Sequence, residues 1–302
     1  MTRRQATATG LLAVLLWSAL AVLTVGTRPV PPLQLNAMTF AVGAGVGLVW
    51  IARTGGFAQL REVGLPVYAF GTAGLFGYHL LYFSALRLAP PAEAGLIAYL
   101  WPLLIVLFSG LLPGERLTGR HVLGAAVAFA GVALIVLKDG AAFDGSAAPG
   151  YALAFLCALT WAGYSVLSRR LGRVPTAAVA VFCLLTALLS VPAHLAFERT
   201  AWPEGAAGWA AVALLGAGPV GLAFYVWDVG MKQGDIQFLG VASYAAPLLS
   251  TCLLVAAGFA QATPALGLAA IMIVAGAALA ANAGARARRS AATRASGGQS
   301  LP

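Results

Sequence analysis

Acidic residues are scarce in this chain: nine Asp and Glu stand against eighteen Lys and Arg in 302 residues. Charge of either sign makes up 9% of the sequence, and the mean hydropathy is +0.89, values that exclude an ordinary soluble domain. Cysteine and histidine number three each. Cys157, Cys183 and Cys252 lie in separate apolar stretches without bridge or ligand spacing, so no disulfide and no metal site is expected. No motif for a nucleotide, haem or catalytic nucleophile is present either, and no cofactor is expected. The net charge of +9 comes from basic residues scattered singly between apolar runs, which argues against nucleic-acid binding and for a topology signal.

What is there is a succession of apolar runs, each about the length that crosses a bilayer. Punctuation by Pro, Gly and charge predicts ten helices, at roughly 8–26, 33–52, 65–86, 92–112, 120–138, 149–168, 176–196, 206–230, 237–259 and 264–284. The basic start MTRRQ is kept on the first helix, since no convincing cleavage site follows it. With both termini cytoplasmic, fourteen of the eighteen basic residues fall on the cytoplasmic side and only Arg28, Arg87, Lys138 and Arg199 on the other. The tail, 285–302, is expected to be disordered, basic and close to the anionic leaflet.

YLWPLL at Tyr99–Leu104 recurs as YAAPLL at Tyr244–Leu249, an offset of 145 residues. Leu16–Thr24 (LWSALAVLT) resembles Thr160–Ser168 (TWAGYSVLS), and Gly131–Leu137 (GVALIVL) resembles the stretch from Gly276 (GAALAAN), at nearly the same distance. The chain therefore reads as two five-helix copies, 1–143 and 144–284. An odd number of spans per copy inverts the second in the membrane, the arrangement of many secondary transporters around a central cavity.

The five-plus-five repeat and the YxxPL segment in the fourth helix of each half resemble the EamA-type drug/metabolite transporter superfamily over essentially the whole chain. The YLWP tetrapeptide, Tyr99 to Pro102, is most similar to the YddG-type aromatic amino-acid exporters within it. The resemblance implies a multi-pass protein of the bacterial inner membrane that exports aromatic and other neutral amino acids by alternating access. Exporters of drugs, nucleosides or other metabolites of the same superfamily are the competing expectation. A membrane enzyme using Glu93, His79 and Asp228 is disfavoured, because these groups are dispersed and lack a nucleophile or metal motif.

Candidate site residues follow from position and chemistry. Pro102 and Pro247 remove N–H groups that would bond the carbonyls of Ala98 and Ser243, predicting kinks that line a cavity. Tyr78, His79 and Tyr82 share a stripe of the third helix, where an interfacial aromatic belt is the competing reading. Tyr99, Trp101, Trp17, Trp161 and Tyr164 lie away from helix ends, with Trp17 and Trp161 at equivalent repeat positions; Ser243 and Tyr244 lie within one turn before the second proline. These are the expected contacts of an amino acid or related metabolite. Asp228 and Lys232, at i and i+4, read first as a salt bridge and second as a coupling group. Glu93 reads as a charge on a helix N-terminus. Gly43, Gly45, Gly47, Gly71, Gly74, Gly77, Gly124 and Gly131 are expected to let helices approach closely. Membrane lipids are the only other partner implied, and no oligomeric state is.

Overall fold

The computed structural model describes residues 1–137, 143–171 and 173–297, with side chains described up to Ala283. Lys138 and the end of the tail, 298–302, lie outside the described residues. Among the described residues the backbone is helical or turn, with no strand. Nine helical segments there are long and apolar enough to cross a membrane. They are α1 (Arg3–Val25), α2 (Pro32–Thr54), α4 (Pro91–Ser109), α5 (Gly119–Val136), α6 (Gly145–Leu171), α7 (Ala178–Phe197), α8 (Gly205–Gln233), α9 (Ile236–Ala256) and α10 (Pro264–Gly297). Where a span was expected at roughly 65–86 the structure has α3, Leu65–Leu88, a 24-residue helix. It stands outside the nine because Tyr78, His79, Tyr82 and Arg87 dilute its apolar run, although about 36 Å of helix is ample to cross. The backbone of α10 continues to Gly297, past the expected end of the last span; the side chains of the tail at 285–302 are outside the described residues.

Local chemistry sets the helix ends. Pro32, Pro66, Pro91 and Pro149 occupy the first turns of α2, α3, α4 and α6, where a missing N–H costs nothing. Thr2 and Gln5 close a capping box on α1. Outward-facing Leu15, Val49, Leu188 and Ile271 are exposed, as a lipid-facing surface requires.

The packing is regular. Helix α1 packs on α8 and α3 on α6, while α2 pairs with α7, α4 with α9 and α5 with α10. Small residues set these distances. A Cβ on Gly124 would stand 2.5 Å from the Gly276 carbonyl oxygen in α10, and one on Gly230 would stand 2.6 Å from Cα of Gly10 in α1. Gly43, Gly47, Gly71, Gly74 and Gly131 are likewise at close contacts, but Gly45 faces open space and Gly77 reaches only Thr160, at 3.7 Å. Because the Gly124 neighbour is backbone, Gly124→Ala is expected to cost about 1–3 kcal/mol of overpacking and to lower the melting temperature in detergent by several degrees. An unchanged melting temperature would show that α5 and α10 part without cost.

Candidate functional site

Helix α4 is interrupted between Ala98 and Trp101, and α9 between Ala242 and Ala245, at the tyrosine of each YxxP segment. The two breaks are satisfied differently from expectation. The Ser243 carbonyl is not freed by Pro247, because the Ala246 N–H reaches it at 3.0 Å in a tightened turn. In α4 the Leu103 N–H takes the Tyr244 hydroxyl as its acceptor, at 3.2 Å. Tyr244 is thus fully buried between α4 and α9, repairing one break from the other helix. Two further irregularities were not anticipated: a kink in α1 at Ala19 and a π-helical turn, Gly218–Leu222, in α8. The π turn aims the Pro219 carbonyl inward, where it accepts the Trp17 indole N–H at 3.1 Å.

These irregularities surround a cavity of ≈ 280 Å³ whose walls include Trp17, Tyr78, His79, Tyr99, Trp101 and Trp161. Tyr82, Phe224 and Ser250 also line it, and a side recess of ≈ 180 Å³ continues between α3 and α4 past Tyr82 and Ala98. Its floor is an aromatic cluster. Trp17 lies 6.1 Å from Trp101, 5.9 Å from Trp161 and 5.0 Å from Trp227 between ring centroids, mostly edge to face. Trp227 is held behind the wall by its indole N–H to the Ser165 hydroxyl at 3.1 Å. Tyr78 and Tyr82 stack with an interplanar angle of 4° on the predicted stripe, so this stripe faces the cavity. His79 Nδ1 stands 2.7 Å from the Leu75 carbonyl, an acceptor only. That bond places the proton on Nδ1 and leaves Nε2 as an acceptor. Among the described residues, no charged side chain lines the cavity. Its polar groups are phenols, an imidazole, indoles and one serine, an inventory suited to a net-neutral solute with a flat or apolar side chain.

Other predicted residues lie elsewhere. Tyr164 is buried at the α3–α6 interface, over Gly74 and 5.6 Å from Phe70, and does not line the cavity. Ser243 is buried, its hydroxyl donated to the Leu239 carbonyl at 2.7 Å. Pro102 and Pro247 are themselves buried; their neighbours Trp101 and Ala246 form the wall. Glu93 sits in the first turn of α4, but Pro90 before it offers no N–H for a capping box, which leaves only the dipole interaction. Pro219, Val220, Phe224, Ala246 and Ser250 were missed. A signal existed for two of them, since the 145-residue offset carries His79 onto Phe224 and Trp101 onto Ala246, and likewise Tyr82 onto Trp227 behind the wall.

Asp228 and Lys232 form the expected pair, Nζ to Oδ2 at 2.8 Å, with side chains 2% and 5% exposed. Thr176 also donates to Asp228, at 2.8 Å, and Lys232 to the Val174 carbonyl, at 2.9 Å. The pair anchors α8 to the chain before α7 and stands apart from the cavity. Asp228→Asn alone is expected to leave a buried ammonium underpaired and cost roughly 3 kcal/mol or more, whereas Asp228→Asn with Lys232→Met restores much of the melting temperature. A coupling carboxylate would give the opposite result: unchanged melting temperature and altered dependence of flux on a proton gradient.

A second polar cluster closes the Arg3 end of the bundle. The Arg169 guanidinium, at the end of α6, donates to Glu115 at 2.6 Å and to the carbonyls of Met231 and Gly234 at 2.9 and 3.0 Å. Arg3 pairs with the same Glu115 at 3.3 Å and approaches Asp235 at 3.8 Å. Thus α1, the α4–α5 loop, α6 and the α8–α9 junction are tied together there. At the other end Glu198 accepts from the Leu33 and Gln34 N–H groups and from Arg87, tying α2, α3 and α7. The cavity residues lie in the middle of their helices or toward this Glu198 end.

The sequence pattern of the EamA-like transporter family matches the chain twice, at residues 6–137 and 148–282. The chain is 55% identical over 283 residues to the aromatic amino acid exporter YddG of Ancylobacter novellus, covering 93% of this chain and 98% of that one. It is 30% identical over 274 residues to the aromatic amino acid exporter YddG of Salmonella typhimurium, covering 84% and 88% of the two chains. A solved crystal structure with 54% sequence identity superimposes with a TM-score of 0.91, covering 94% of this chain and 99% of its own.

Proposed function

The chain belongs to the EamA-like transporter family, and we propose that it exports aromatic and other neutral amino acids across the bacterial inner membrane by alternating access. The observation that carries the substrate class is the cavity itself: ≈ 280 Å³, walled by Trp and Tyr, without a charged side chain. That volume is at the small end for ligand sites and suits a single amino acid. The apolar side chain stacks on Trp17, Trp101 and Trp161. The carboxylate takes hydroxyl donors from Tyr78, Tyr82, Tyr99 or Ser250, and the ammonium takes His79 Nε2 and the aromatic faces. Absence of a fixed counter-charge favours a zwitterion over an ion and permits several neutral side chains.

The proposed architecture is two five-helix units, helices α1–α5 and α6–α10, inverted relative to each other, with both termini cytoplasmic. The packing pattern supports it: exchanging each helix for its equivalent turns the α1–α8 contact into α6–α3 and returns the α2–α7, α4–α9 and α5–α10 pairs to themselves. Arg3, Glu115 and Arg169 then close the cytoplasmic side while the cavity opens outward, the state from which exported substrate leaves. Export requires the reverse arrangement, in which the Glu115 cluster parts and the outer ends of the helices close.

Binding is directly readable, because Trp17, Trp101 and Trp161 line the cavity and Trp227 packs directly behind them. Titrating purified protein with phenylalanine is expected to give a saturable change in tryptophan emission that Tyr99→Ala weakens. No change with any aromatic or branched amino acid, together with a response to nucleosides, would transfer the assignment to the competing metabolite class.

A further inference from the structure

A second cavity, ≈ 460 Å³, opens at the Arg3 end between α1, α9 and α10, outside the substrate site. Its polar lining is Arg3, Arg4 and Thr7 from the first turns of α1, with Asp235 opposite; its apolar walls include Leu11, Phe238 and Ala281. The order of these groups is that of a phospholipid. Leu11 lies about 12 Å along α1 from Arg3, so the guanidinium groups stand at the membrane surface and the apolar walls one to two turns deeper. Soluble metabolites have no use for a wall of Leu, Phe and Ala at that depth.

Charge complementarity selects the headgroup. Arg4 is exposed and makes no ion pair among the described residues. Arg3 is only partly engaged, with a side chain 41% exposed and acidic partners at 3.3 and 3.8 Å. The Asp235 carboxylate does not oppose an anion strongly, since it caps α9 by accepting the Phe238 N–H and lies beside Arg3. We propose that this cleft binds an anionic phospholipid, with its phosphate on Arg3 and Arg4 and an acyl chain along Leu11, Phe238 and Ala281.

The site has a mechanical consequence. Arg3 belongs both to the cleft and to the cluster that closes the cytoplasmic side, so a lipid phosphate competes with Glu115 for the same guanidinium. Occupancy leaves Glu115 held by Arg169 and loosens α1 from the closed cluster. Only this consequence rests on the alternating-access reading; the binding claim does not.

Native mass spectrometry of the full chain, delipidated and then offered phosphatidylglycerol or phosphatidylcholine of identical acyl chains, tests the site. Phosphatidylglycerol is expected to be retained preferentially, and Arg4→Gln to weaken that retention about fivefold, the value of one basic group at an anionic surface. Ala281→Phe, which fills the cleft without touching charge, is expected to weaken it as well while the gel-filtration profile stays that of the parent. Equal retention of the two lipids, or full retention of phosphatidylglycerol by both variants, overturns the proposal. Displacement of the lipid by inorganic phosphate with Ala281→Phe inert assigns the arginines to a soluble anion and equally overturns it.

Discussion

Trp101→Ala is expected to lower phenylalanine flux by more than about tenfold while membrane expression stays near that of the parent. Trp101 is 6% exposed and stands at the start of the second half of broken α4, where its ring contacts those of Trp17, Trp161 and Trp227 at 6.1, 6.3 and 5.9 Å. Each aromatic contact contributes roughly 0.5–1.5 kcal/mol beyond area burial, and about 1.4 kcal/mol is a tenfold change. Losing one wall of the site and its contacts to substrate together therefore exceeds a decade. Trp101→Phe retains a ring and is expected to recover most of the flux. The comparison variant is Trp209→Ala: Trp209 is 49% exposed, stacks on Trp202 at 6.0 Å and is not among the cavity-lining residues, so flux should not change. Equal loss in both would place the effect in general stability, and normal flux in Trp101→Ala would remove this ring from the site.

The second large effect concerns closure. Arg169→Ala removes three bonds at once and leaves the Glu115 carboxylate, 8% exposed, with Arg3 alone. Removing one partner of a buried pair costs roughly 3–5 kcal/mol, comparable with the ~5.5 kcal/mol that would move a two-state equilibrium from 1:99 to 99:1. On the proposed topology, the cytoplasmic side is therefore expected to open. Val14, 3% exposed on α1 inward of Trp17, reports it. In a Cys252→Ser background, maleimide labelling of Val14→Cys should accelerate at least about tenfold when Arg169→Ala is added, with net flux impaired because the outward-open state is lost. Continued protection of that cysteine with normal flux would show that the cluster does not close the pathway.

The helices and the doubled break were legible because both have strong local causes: apolar run length, and prolines that remove backbone donors. Trp17 and Trp161 were legible as a pair because Leu16–Thr24 resembles Thr160–Ser168 in sequence, and the structure sets their rings 5.9 Å apart. Phase relative to neighbouring helices was not legible. Tyr164 is one turn from Trp161 yet faces Gly74 of α3, and Tyr244 lies three residues before a proline yet serves the backbone of α4. Both are aromatic residues with polar ends, and either could face water or a partner helix; only the partner's glycine or its unpaired N–H decides. The Glu115 cluster was illegible for another reason. Its members come from parts of the chain more than fifty residues apart and carry no spacing pattern. The π turn at Gly218–Leu222, written GPVGL, had a Gly-Pro signal that says a helix is perturbed without saying that a carbonyl is turned toward Trp17.

The central claim is that the aromatic, uncharged cavity moves neutral amino acids. Its most direct test is counterflow in proteoliposomes preloaded with unlabelled phenylalanine and given labelled phenylalanine outside. The account predicts saturable, transient accumulation of label that excess tryptophan or leucine suppresses, that a nucleoside does not, and that Trp101→Ala lowers by more than about tenfold. Vesicles that accumulate no amino acid under these conditions, while exchanging a nucleoside, would contradict it.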